Sequence, residues 1–111
     1  MLDQFTLSIP EDDIINDTKL KTDGNGQSVC LWLNEEELNN FMDHLYHQRN
    51  GESYLEDGEY VHLYENDIDE LLNLWHSGEL HALDPDNMER ALNYLKELIH
   101  HGKSIFYGCS F

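Results

Sequence analysis

A chain of 111 residues, 40% hydrophobic and 11% aromatic, has apolar material for one core and too little length for two ordinary domains, so it reads as one domain over 1–111. Twenty-three acids against six Lys and Arg give a formal charge of -17, which disfavours direct nucleic-acid binding because phosphate affinity comes largely from Lys and Arg. No stretch reaches the ~18 apolar residues of a membrane span, and the first residues form no basic, apolar leader. Cys30 and Cys109 read as reduced core thiols, so a cytoplasmic setting is expected.

In chain order, Phe5-Thr6-Leu7-Ser8-Ile9 alternates apolar and polar residues, predicting a strand near 5–9 that Pro10 ends. Residues 18–22 and 28–33 are expected to pair as a hairpin around the turn-rich Asp23-Gly24-Asn25-Gly26. Val29-Cys30-Leu31-Trp32-Leu33 is apolar on both faces, which predicts a central strand. Asn34 then reads as an N-cap with Glu37 completing a capping box, opening a helix near 35–49 whose stripe is Leu38, Phe41, Met42 and Leu45.

An acidic loop over 52–59 leads to a strand near 60–64, with Val61 and Leu63 on one face and Tyr60, His62 and Tyr64 on the other. Asn66 is the expected cap of a second helix, near 67–76, which buries Ile68, Leu71, Leu72 and Trp75. Asp84-Pro85 is a strong start for a third helix near 86–101, with Met88, Ala91, Leu92, Leu95 and Ile99 inward. Residues 104–107 form a closing strand. The predicted class is α+β: a mostly antiparallel sheet of about four or five strands packed with three helices.

Sites of chemistry are sought by residue type and spacing. Asp23 and Asn25 match the first and third positions of a calcium loop, but Ser28 stands where glycine is needed and Asn34 where a bidentate Glu is needed. His44 and His47 lie three apart on a helix with Asp43 beside them, the best arrangement for a transition metal, without any compact ligand motif. No Gly-x-Ser-x-Gly elbow and no phosphate-cradling glycine loop occurs. The sequence is therefore expected to have no catalytic site and no cofactor.

The segment between Arg49 and Arg90 carries twelve acids and no Lys or Arg, and eight of those acids fall between 52 and 70. Its tyrosines and leucines should fold it onto the core, so the carboxylates would sit at fixed positions. Acids three or four residues apart on a helix lie about 5–6 Å from one another, a spacing on the scale of nucleic-acid phosphates. The expected partner surface is Glu52, Tyr54, Glu56, Asp57, Glu59, Tyr60, Tyr64, Asp67, Asp69 and Glu70. The expected function is a small acidic module that docks on a basic, nucleic-acid-binding protein as an inhibitor or nucleic-acid-mimicking decoy. An immunity-type protein that neutralises a specific toxin and a metal-dependent enzyme built on His44 and His47 are the alternatives.

Overall fold

In the computed structural model, which describes residues 1–22, 24–51 and 54–111, each apolar stripe of the sequence turns toward one shared core. The first strand, β1 (Asp3–Ser8), is followed by a 3-10 turn at Glu11–Asp13 and two short strands, β2 (Ile14–Asn16) and β3 (Lys19–Leu20). Next come β4 (Gln27–Leu33), α1 (Glu36–Asn50), β5 (Tyr60–Leu63), α2 (Glu65–His76), α3 (Pro85–His100) and β6 (Ile105–Ser110). Four strands form an antiparallel sheet in the order β4-β1-β6-β5, and β2 pairs with β3 alone.

Period-two alternation sets the inner face of this sheet. Trp32, Tyr107, Ile105, Cys109, Val61 and Leu63 are buried in one cluster with Leu38, Met42, Ile68, Leu71, Met88 and Leu92 of the helices. On the outer face Gly108 gives room to two aromatic rings: a Cβ there would lie 2.9 Å from the Phe5 ring. Phe5 and Tyr60 meet edge to face across it, with centroids 6.3 Å apart.

A polar network crosses the interior between β1 and α1. Gln4 donates from Nε2 to the Glu35 carbonyl and to the Tyr107 hydroxyl, both at 2.9 Å, and its Oε1 accepts from the Glu35 N–H at 2.7 Å. Tyr107 donates onward to Asn39 Oδ1 at 2.8 Å. Every member has a partner, which is the condition for such a network to stabilise rather than weaken a core.

The class and the positions of all three helices follow the sequence pattern. Four local expectations are corrected. The hairpin between 18–22 and 28–33 does not form: β3 pairs with β2, and β4 pairs with β1. Asp23, the first residue of that expected turn and of the calcium-loop candidate, lies outside the described residues.

β4 is an edge strand rather than a central one, with Leu31 66% and Leu33 50% exposed. A register shift opposite Thr6 and Leu7 makes Val29 a bulge residue. At the start of α1 the capping residue is Glu35, because Asn34 adopts a left-handed φ of 55° and its side chain accepts from the Leu2 N–H. The expected Asn66 cap is likewise displaced: Tyr64 precedes α2, and Asp67 reaches back to the Tyr64 N–H at 2.8 Å. Only the third helix keeps its expected cap, Asp84, which accepts from the Asn87 N–H.

Candidate functional site

The acidic segment begins on the loop between α1 and β5. Leu55 anchors it in the core, and its N–H donates to Asp43 Oδ1 at 2.6 Å. Gly58, with φ 81°, turns the chain into β5. Between these fixed points Glu56 and Asp57 are exposed, and Asp57 accepts from the Phe111 N–H. Tyr54 is exposed and stacks on His47, with centroids 5.3 Å apart.

The expected partner surface divides on inspection. Glu52 lies outside the described residues. Asp67 is buried, with both oxygens 2.8 Å from Arg49 Nη2. Glu59 is half-buried and accepts from the Tyr46 hydroxyl, while Tyr60 packs against Phe5. Asp67 is therefore corrected out of the docking set, while Glu59 and Tyr60 keep part of their surface exposed but are engaged within the protein. Tyr54, Glu56, Asp57, Tyr64, Asp69 and Glu70 retain exposed or half-exposed side chains on the loop and along α2.

Not all of the remaining carboxylates are free. Asp69 pairs with Lys96 at 2.6 Å, Glu65 lies 3.2 Å from His100, and Glu89 lies 4.0 Å from His76. The three pairs form a ladder between antiparallel α2 and α3. The Lys96 ammonium is held above its ordinary pKa, chiefly by the hydrogen bond to Asp69. Exposed pairs of this kind contribute little stability, but they lower the negative field locally. The carboxylates of Glu56 and Glu70 are exposed and take part in none of these pairs.

A second acidic group escaped the sequence pattern. Glu35 is 3% exposed, and its carboxylate accepts the N–H of Leu83 at 2.7 Å and of Asp84 at 3.1 Å. Glu37 accepts from the His81 N–H at 2.9 Å. These bonds hold the first turns of α1 and α3 together, with Glu36, Asp84 and Asp86 exposed around the junction. The run Glu35-Glu36-Glu37 and the Asp84-Pro85 start are both visible in the sequence. Their adjacency is a tertiary fact, carried by side-chain bonds that span more than 40 residues.

Beside β5, His62 is stacked between Phe106, at 4.5 Å, and Tyr64, at 4.3 Å, with Nδ1 3.5 Å from Asp17. Tyr64 donates to the same Asp17 carboxylate, which pushes its phenol up to about 12. Burial holds His62 below its ordinary value of 6.5, against the opposing pull of Asp17. Between the folded value and 6.5 the unfolded chain therefore binds the proton better. The stability His62 contributes is complete above about pH 6.5 and is lost as the pH falls through the folded value. Thermal melts from pH 7.5 to 5.0 should fall less steeply in His62→Gln than in the parent chain, and parallel curves would assign the pH dependence to other groups.

For a metal, the His44, His47 and Asp43 arrangement is not assembled. His44 is exposed beside Gln48, His47 is stacked on Tyr54, and Asp43 is committed to the Leu55 N–H. Among the described residues no three His, Cys, Asp or Glu side chains converge as a metal site. Cys30 and Cys109 lie on the two strands flanking β1, opposite Thr6 and Gln4. Strand spacing then separates them by roughly 9 Å or more, beyond the ~7 Å reach of a disulfide. Burial raises both thiols, Cys109 to about 11. No described helix is long and apolar enough to cross a membrane. Comparison of the chain with protein-family models, with curated proteins and with solved structures gives no match.

Proposed function

We propose that this protein is a small, non-catalytic acidic module that docks on a basic partner. In its most concrete form it is an inhibitor or decoy occupying the nucleic-acid groove of an enzyme. The observation that carries the reading is the fate of one base. Between Lys21 and Arg90 the only Lys or Arg is Arg49, and its guanidinium is bonded to Asp67 and to the His62 carbonyl. Helix α1, the acidic loop, β5, α2 and the turn before α3 therefore present carboxylates with no free Lys or Arg among them.

Natural surfaces usually mix the two signs. Carboxylates on folded elements also hold their spacing, which lets a basic groove meet them as it would a phosphate backbone. Reduced, high-pKa thiols fit a cytoplasmic setting.

The test is capture from a source-cell lysate at about 0.1 M and 0.5 M salt, where screening shortens from ~10 Å. The parent chain is run beside a variant carrying Glu56→Gln, Asp57→Asn, Asp69→Asn and Glu70→Gln. A nucleic-acid-binding enzyme retained at least tenfold better by the parent, and released by salt, is the expected result. Equal capture by both proteins would leave the acidic surface only a solubilising one. One partner held equally at both salt concentrations would favour the immunity-type reading.

A further inference from the structure

The two edges of the main sheet are not alike. At the β5 edge the His62 N–H donates to the Asp17 carbonyl at 2.7 Å, and the His62 carbonyl accepts from Arg49. That edge is closed by side chain and loop. At the other edge β4 has no strand partner on its outer side among the described residues.

Edge strands are ordinarily protected by Lys, by Pro or by an inward charge. β4 reads Gln27-Ser28-Val29-Cys30-Leu31-Trp32-Leu33 and has none of these; its protection is a bulge at Val29 and one side-chain bond from α3, with no loop or strand laid along it among the described residues. Beside it runs a groove of about 560 Å³, walled by Cys30 and Leu31 on one side and by Asn87, Arg90, Ala91 and Tyr94 of α3 on the other. Leu31 is 66% exposed and Tyr94 47% exposed. Asn87 Nδ2 donates to the Leu31 carbonyl at 3.0 Å. An amide N–H thus already stands where a neighbouring strand would place one.

We propose that β4 is an open strand-addition site for an extended basic segment of a partner protein. The segment pairs with the outer edge of β4, and alternate side chains enter the groove against Ala91 and Tyr94. Its Lys or Arg residues reach toward Asp84 and Asp3, which line the adjoining cleft with Leu31 and Leu33, and stay clear of Arg90, the one charged side chain on the groove wall. Charge decides between this occupant and a second copy. Pairing β4 with itself would bring two chains of -17 together, whereas a cationic strand is drawn in by the same field. The proposal rests on the reading of a basic partner and gives it a mode of recognition. The site is at the opposite edge of the sheet from β5, so it can be tested apart from the acidic loop.

The probe is an eight-residue peptide of alternating Lys and Val with blocked ends, titrated into the isotope-labelled full chain and followed by amide chemical shifts. Controls are the same peptide with two Val changed to Pro, and an alternating Glu-Val peptide. The expected result is saturable shifts confined to residues 28–33 and 87–94, lost with the Pro peptide and absent with the Glu peptide. Leu31→Lys, a change at an exposed position, should weaken binding at least tenfold, and Tyr94→Lys provides a second block from the helix wall.

Shifts confined to the 54–70 region, with β4 silent, would overturn the strand site and leave the acidic-module reading standing. Equal binding of the Glu-Val peptide would overturn the basic commitment. Concentration-dependent dimerisation that Leu31→Lys abolishes would make a second copy the occupant. The absence of any saturable shift up to millimolar peptide would overturn the proposal outright.

Discussion

Arg49→Met should cost about 3–5 kcal/mol of folding stability, the range for a buried ion pair that loses one partner. The number comes from what is left behind. Asp67 is 4% exposed at its side chain and keeps only the Tyr64 N–H once the guanidinium is gone. The His62 carbonyl loses its donor as well. Because Arg49 ends α1 while Asp67 opens α2, one substitution loosens the joint between both helices and β5. Small domains are stable by ~5–15 kcal/mol in total, so this loss is a large fraction.

Urea denaturation of Arg49→Met, Asp67→Asn and the double variant gives the measurement. The double variant should be more stable than Arg49→Met alone, since the unpaired charge is then absent. A loss below about 1 kcal/mol for Arg49→Met would mean that water reaches Asp67 and the pair behaves as a surface one.

Glu35→Gln is the second large effect, expected at about 1–3 kcal/mol with a local signature. Both carboxylate oxygens accept backbone N–H groups, from Leu83 and Asp84, and no cation lies among their hydrogen-bond partners. An amide can satisfy one of the two and turns its NH2 against the other. The network through Gln4 uses only the backbone of Glu35, so it should survive the change. Amide exchange should therefore speed up by tenfold or more at one or both of Leu83 and Asp84, with little change at Tyr107. Uniform acceleration over the whole chain would point to global destabilisation instead.

The apolar stripes of the helices and the start of α3 were the most legible parts of the fold. Asp84-Pro85 opens α3 where expected, because proline at the first helical position and an aspartate cap act within one turn. The stripes of α1 and α2 were visible for the same short-range reason. The role of β4 was not, since Val29 to Leu33 is equally apolar whether it lies at the centre or at an edge. Exposure of Leu31 and Leu33 is decided by which strand fails to arrive. The β2–β3 pair is too short, at three and two residues, to leave a pattern.

The candidate surface was legible as a charge count and not as an allocation. Sequence gives the acids between 52 and 70, but it does not mark Asp67 as the partner of Arg49 or Glu59 as the acceptor of Tyr46. The one hint was present in the composition. A lone Arg beside a long acidic stretch is more easily held by one of those acids than left free.

The order of the sheet also sets a timetable for synthesis. β1 and β5 meet only through β6, the last of this sheet's four strands in chain order. As the chain emerges from the ribosome, β1 can pair with β4 and α2 can lie against α3 while residues 105–110 are still missing. β5 then has no ladder partner in the main sheet, and Val61 and Leu63 lack the strand that shields them. Such a half-built sheet is an aggregation-prone intermediate, since unpaired edges and bare apolar faces are exposed together. Ile105 to Ser110 therefore act as the keystone, and a nascent chain stalled before them should be held by chaperones rather than released folded.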